Sequence, residues 1–318
     1  MKLIADYHIH SNNSKFGLSK ASIEEIARKA NSVGLKEIAI TDHGFKHFFA
    51  TSKDKLIKAR ELIDELNESM GIKILLGIEA DVISAAGDID VDDETLQMID
   101  MLLIGYHKMI KTDFATFFGG QRKNIGAIEK ATDAFINAIS RYNVDIVAHP
   151  GNGLKLNLYR LGKFCAENSV FIELNNRHHN YTKQEINDLI RSGCEFVVSS
   201  DAKNEFSVGN VDRVIDFVLK NNIPTERIIN YDFGNGKRLE IDKEIEEDMK
   251  KYNELFQNNK NERKAELSDE TEKRLNDIAR EKGLIEDNQE EVDYKLFLTP
   301  EERRIVERAE EFLKNHKK

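Results

Sequence analysis

The sequence predicts an α/β protein whose parallel strands close into a barrel. Two observations lead there. Short apolar stretches rich in Ile, Val and Leu alternate with helical patterns over the first two thirds of the chain, the rhythm of strand–helix units that pair their strands in parallel beneath outer helices. Nearly every one of the seven predicted strands is also followed by a His, Asp or Glu. An open sheet would spread those groups along a line. A parallel barrel turns all its C-terminal strand ends to one mouth, where chemistry is done.

The strands are predicted at 3–8, 37–41, 74–78, 101–105, 145–148, 171–174 and 196–199. Their ends carry, in order, His8 and His10, Asp42 and His43, Glu79 and Asp81, His107, His149, Glu173 and Asn175, and Asp201. Helical patterns fill 22–32, 53–70, 125–142, 158–168, 183–192 and 211–221, with Gly34 and Gly193 where helix C-caps would stand. The acidic stretch 88–100 allows a short helix at most. In the first strand, alternation places Asp6, His8 and His10 on one face. Two imidazoles and a carboxylate there are the ordinary ligands of a divalent metal. One His or Asp after one strand is commonly a turn former or a helix cap. A run of seven such ends is poorly explained that way.

The 318 residues allow one large domain or two ordinary ones. With 33% charged residues and a net charge of −10, the chain is disfavoured as a binder of duplex nucleic acid. No apolar run reaches the roughly 20 residues that span a bilayer, so no membrane role is expected. The N-terminus enters a strand at once, which argues against a signal peptide. Cys165 and Cys194 lie in apolar contexts and are expected as buried free thiols, consistent with a cytoplasmic location.

The segments Asp6-Tyr7-His8-Ile9-His10-Ser11, Ala39-Ile40-Thr41-Asp42-His43-Gly44, Gly77-Ile78-Glu79-Ala80, Gly105-Tyr106-His107, Ala148-His149-Pro150-Gly151-Asn152, Ile172-Glu173-Leu174-Asn175-Asn176 and Ser199-Ser200-Asp201-Ala202 together resemble the PHP family, named for polymerase and histidinol phosphatase. Their spacing is most similar to that of the stand-alone bacterial phosphatases. The resemblance implies a distorted (β/α)7 barrel over residues 1–240 with divalent zinc, manganese or iron at its mouth. His8, His10, Glu79 and Asp201 would hold one metal, and Glu79 would bridge to a second held by His107 and His149. A third family site uses a His after the first strand, the His of the Thr-Asp-His motif and a His two residues past the last Asp. Here only His43 remains: the loop 11–19 has Lys15 and Phe16 but no His, and the last position is Lys203. An ammonium has no lone pair to give a metal. The expectation is therefore two metals, with Lys203 beside the vacated position. A Lys203–His43 clamp on the substrate anion and a plain Lys203–Asp ion pair are the other readings.

The implied function is hydrolysis of a small phosphate monoester by metal-activated water. Glu79, Asp201 and His43 are the expected catalytic residues. Lys203, Lys108, Arg122, Asn152 and Arg177 are the expected substrate contacts. The loop 108–124, with its cations, Phe residues and glycines, reads equally as a substrate lid or as a surface loop pinned by its aromatics. His47, His178 and His179 read as substrate contacts or as plain loop residues, and His316 as surface. Asp6 and Asp42 are expected to orient the histidines. Three rivals stand beside this: a nuclease or nucleotide phosphodiesterase, a decayed metal-binding scaffold or interaction module, and an amidohydrolase. The bridging Glu79 and the lack of a convincing strand Lys weigh against the last.

Beyond about residue 240 the chain becomes charged and helical, at 244–257 and 268–282, with Ser268 as an N-cap. A last helix starts at Thr299-Pro300-Glu301-Glu302, with Pro and acids suited to its first turn. The segment 241–318 reads as a helical extension folded on the barrel, or as an arm for a homo-oligomer or a protein partner.

Overall fold

The computed structural model describes residues 1–108, 110–115 and 125–234. The predicted extension 241–318, His316 and Arg122 lie outside the described residues. In chain order the elements are β1 (Lys2–Leu3), β2 (Ala5–Ile9), α1 (Ile23–Ser32), β3 (Glu37–His43), α2 (Lys53–Ser69), β4 (Lys73–Asp81), α3 (Asp93–Leu96), β5 (Met101–Gly105) and α4 (Ile125–Arg141). There follow β6 (Ile146–Val147), α5 (Leu158–Glu167), β7 (Phe171–Asn175), α6 (Lys183–Ser192), β8 (Phe196–Ser199), α7 (Asp212–Lys220) and β9 (Tyr231–Asp232). Among the described residues, all the predicted strands and helices are present. β3 and β4 run further than predicted, so His43 and Glu79 are strand residues and face one another in register.

Strands β2 to β8 form one parallel sheet in sequence order, the arrangement of a (β/α)7 barrel. Apolar side chains on its outer face pack beneath the helices. In α1, Ile23, Ile26, Ala27 and Ala30 make the buried stripe at helical spacing. Its start is set by a capping box in which Ser22 and Glu25 satisfy each other's backbone N–H groups. A second, smaller cluster comes from the strand side: Ala5, Tyr7, Ala39, Leu103, Ile146, Ala148 and Val197 fill the barrel below the mouth. Among the described residues no helix is long and apolar enough to cross a membrane.

Closure between β2 and β8 is made differently from the rest of the barrel. Instead of a full ladder there is a single bridge, Ile9 to Ala202, with His10 N–H donating to Ala202 O at 2.9 Å. Lower down, the buried Asn230 side chain spans the seam. Its Nδ2 donates to Ala5 O (2.9 Å) and Val198 O (2.7 Å), and its Oδ1 accepts from Val198 N–H (2.9 Å). This side-chain staple is the distortion of the barrel. Asn230→Ala should lower the unfolding free energy by about 2–3 kcal/mol, because it strands buried backbone groups. Urea unfolding would measure it, and a loss below about 0.5 kcal/mol would show that the seam holds without the staple.

The same edge changes one expectation. Strand β2 shifts register against β3 between Asp6 and Ile9. Tyr7 lies in the interior cluster while His8, next in sequence, reaches the mouth. Strict alternation would have put them on opposite faces. The irregularity takes Asp6 off the histidine face, and its carboxylate instead accepts from Ser200 N–H and Gly209 N–H at the seam.

Candidate metal centre

Glu79, near the end of β4, is the centre of the mouth and is completely buried. Its two carboxylate oxygens face different imidazoles. Oε2 lies 3.2 Å from His8 Nε2, 3.6 Å from His10 Nε2 and 2.9 Å from His43 Nδ1. Oε1 lies 2.7 Å from His149 Nε2 and 3.5 Å from His107 Nε2. Asp201, just past β8, stands across the seam with Oδ1 3.4 Å from His10 Nε2. Both His149 (φ 31°) and Asp201 (φ 50°) hold left-handed backbone that side-chain-bearing residues rarely adopt. Such strain persists where surrounding structure enforces it, characteristically at functional sites.

These atoms are close, yet several lack a hydrogen bond. His8 Nε2, both ring nitrogens of His10, His43 Nδ1, Glu79 Oε2 and Asp201 Oδ1 are buried polar atoms without a partner. Buried polar groups are almost always satisfied, and a convergent set of unsatisfied lone pairs fits a cation. His8–His10–Asp201, His10–His43–Glu79 and Glu79–His107–His149 each bring ligand atoms close enough to share an ion. Burial opposes ionisation of Glu79, but the imidazoles of His8, His107 and His43 outweigh it and hold its carboxyl well below the usual range. Burial likewise disfavours the His107 imidazolium, yet Asp81 and Glu79 hold it up at about 9. For His43 burial wins, and the ring stays neutral.

A second ring of carboxylates sets the ring orientations. Glu173 Oε1 is 2.8 Å from His8 Nδ1, and its Oε2 accepts the His149 amide at 2.7 Å. Asp81 Oδ1 is 3.0 Å from His107 Nδ1. With Nδ1 donating outward, Nε2 keeps its lone pair for the mouth. Asp6 and Asp42, expected in that role, do other work: Asp42 accepts from Ser11 N–H, Ser11 Oγ and Ser14 Oγ, and so fixes the loop after β2. Behind Asp81 sits Asp90, whose carboxylate accepts from Asp81 N–H and Lys46 N–H. Burial and the Asp81 charge push its pKa from 3.8 up to about 7. The folded state therefore binds a proton that the unfolded state lacks between those values. Its stabilisation is complete below the lower value and lost as pH rises through the upper. In the metal-free protein, Asp90→Asn should flatten the fall in urea midpoint from pH 5 to pH 8, and equal slopes for the two proteins would refute this.

The mouth opens into a cavity of about 350 Å³. Lys203, Lys108 and Asn152 line it, as the sequence proposes for substrate contacts. Lys203 Nζ is 3.6 Å from Asp201 Oδ1, so the Lys203–Asp ion pair, one of the three readings of Lys203, is present beside the cavity. Arg177 approaches Asp201 Oδ2 at 3.8 Å but is not among the lining residues. His47 and His178 also line the cavity, and His178 Nε2 is 3.6 Å from Asp201 Oδ2. Their sequence neighbourhoods carry no strand-end signal, so only the loop paths after β3 and β7 bring them in.

A parallel α/β barrel with a carboxylate-linked histidine cluster at its mouth belongs to the barrels built to hold metal ions. The PHP domain model matches residues 6–268, and the chain belongs to the PHP domain family. A protein of Acetivibrio thermocellus described as "probable phosphatase" is 30% identical over 243 residues, 72% of this chain and 92% of its own length. One from Shewanella piezotolerans with the same description is 28% identical over 72% of this chain and 90% of its own. Among solved structures, the histidinol phosphate phosphatase of Lactococcus lactis, in complex with zinc, L-histidinol and phosphate, is similar with a TM-score of 0.47 and 14% identity. That match covers 70% of this chain and 95% of the other.

Proposed function

We propose that the chain hydrolyses a small phosphate monoester at a site for two divalent cations. The observation that carries this reading is the two-sidedness of Glu79, with Oε2 toward His8 and His10 and Oε1 toward His107 and His149. His8, His10 and Asp201 would hold one cation, His107 and His149 the other, and Glu79 both. When bound, such cations neutralise phosphoryl oxygens and acidify a water for in-line attack.

The chain's own groups position the rest. Burial disfavours the Asp201 carboxylate, but the His10 ring 3.4 Å from its Oδ1 and the charges of His8 and Lys203 keep it ionised, able to orient an attacking water. Neutral His43 retains one N–H, which suits it to holding a phosphoryl oxygen more than to delivering a full proton. Lys203 and Lys108 bring positive charge to the cavity and Asn152 an amide. Arg177 stands behind Asp201, and Arg122 is a further cation proposed for the substrate. The class, a PHP-type phosphoric ester hydrolase, is supported by relatives described as probable phosphatases. A cavity of about 350 Å³ in a chain of net charge −10 favours a small ester over a polynucleotide.

Elemental analysis of purified protein, with a panel of phosphate esters assayed in added manganese, iron or zinc, tests both halves. Two equivalents of metal and turnover of small monoesters are expected. Three tightly held equivalents with His43 as a ligand would overturn the two-cation site. Full occupancy without any ester hydrolysis would replace the enzyme with a metal-binding scaffold.

A further inference from the structure

Four residues past His43 the loop after β3 turns an imidazole back over the mouth. The His47 ring centroid is 3.6 Å from that of His43 and 4.7 Å from that of His107, and the ring lines the cavity that Lys203 also borders. Proximity alone makes His43–His47–His107 eligible to hold a third cation. The hydrogen bonding of His47 opposes that. The Phe49 amide donates to His47 Nδ1 at 3.1 Å. A nitrogen accepting an N–H carries no proton of its own, so Nδ1 is the lone-pair nitrogen and the ring proton is on Nε2. Rotating the ring by half a turn would set Cδ2 against the amide and leave that donor without its acceptor.

A metal-binding imidazole has the reverse arrangement, its outer nitrogen donating to a carboxylate or carbonyl. His8 and His107 follow that pattern with Glu173 and Asp81; His47 does not. The turn that carries it is fixed by backbone hydrogen bonds, His47 N–H to Gly44 O (3.3 Å) and Ala50 N–H to His47 O (3.0 Å). The Nε2–H is thus a pre-set donor rather than a floating one. With Lys203, which lines the same cavity, it makes a pair of donors suited to an anion.

We propose that His47 donates its Nε2–H to a phosphoryl oxygen of the substrate, beside the Lys203 ammonium, and binds no metal. This rests on the phosphatase reading above. The test uses metal-loaded full-length protein, wild type, His47→Ala and His47→Gln. Bound metal is counted by elemental analysis, inorganic phosphate binding is measured by calorimetry, and hydrolysis of phenyl phosphate is followed in parallel. His47→Ala should keep the wild-type metal count while its phosphate affinity falls about tenfold, the effect of losing one hydrogen bond to a charged group. His47→Gln, whose amide still offers an N–H, should recover part of that loss. A metal equivalent missing from both variants would make His47 a ligand and overturn the proposal. So would phosphate affinity unchanged in His47→Ala while the wild type hydrolyses the ester. A wild type that neither binds phosphate nor hydrolyses the ester would instead overturn the phosphatase reading, and the proposal with it.

Discussion

Glu79→Gln should leave a folded protein that has lost most of its metal and at least about a thousandfold of its turnover. The side chain keeps its volume, so the barrel interior has no cavity to collapse into. Its chemistry changes completely. A carboxylate offers lone pairs on both oxygens, and here one oxygen faces His8 and His10 while the other faces His107 and His149. An amide replaces one of those acceptors with a donor aimed at imidazole nitrogens, and it removes the negative charge shared by both halves. Glu79→Ala should do the same at a further cost in packing. Elemental analysis and steady-state turnover on the same preparation would check this; a Gln variant with full metal and undiminished turnover would sink the bridging role.

Stripping the metal with a chelator should lower the thermal midpoint by about 10 °C. An ion bound only by the folded state, at a free concentration a thousand times its dissociation constant, stabilises by about 4 kcal/mol. In a domain of this size each kcal/mol moves the midpoint by about 2–4 °C. The source of the effect is visible in the mouth, where His8 Nε2, His10 Nε2, Glu79 Oε2 and Asp201 Oδ1 are buried without hydrogen bonds. The increment should also shrink with acidity. Asp81 and Glu79 hold the His107 imidazolium up at about 9 against burial, so metal must displace protons, and its affinity falls as pH falls. Scanning calorimetry with and without chelator at pH 8 and pH 6 would show the larger difference at pH 8. A midpoint indifferent to chelator at both would mean that no ion is held there.

Much of this architecture could be read along the chain because its signals are local. Apolar runs such as 101–105 and 196–199 mark buried strands and match β5 and β8. Gly193, expected where a helix ends, is the left-handed C-cap of α6. The ligand-type residues announce themselves because each ends or follows a strand, and a parallel barrel needs nothing more to gather them. Where sequence reasoning missed, the deciding contact spans a long stretch of chain. Alternation placed Asp6 with His8 and His10, but a register shift of β2 against β3 removed it. Asp6 and Asp42 were the nearest carboxylates in sequence, yet Glu173 and Asp81 orient the imidazoles.

By itself the sequence determined the order of strands and helices, the family, and the identity of the groups at the mouth, since these follow from residue type and spacing. Only the tertiary structure decided how the barrel closes, through Asn230, and which oxygen of Glu79 meets which imidazole. It also decided that His47 Nδ1 accepts the Phe49 amide. The physical reason is the same in each case: a hydrogen bond has a direction and a partner, and neither is written in the spacing of the residues that make it.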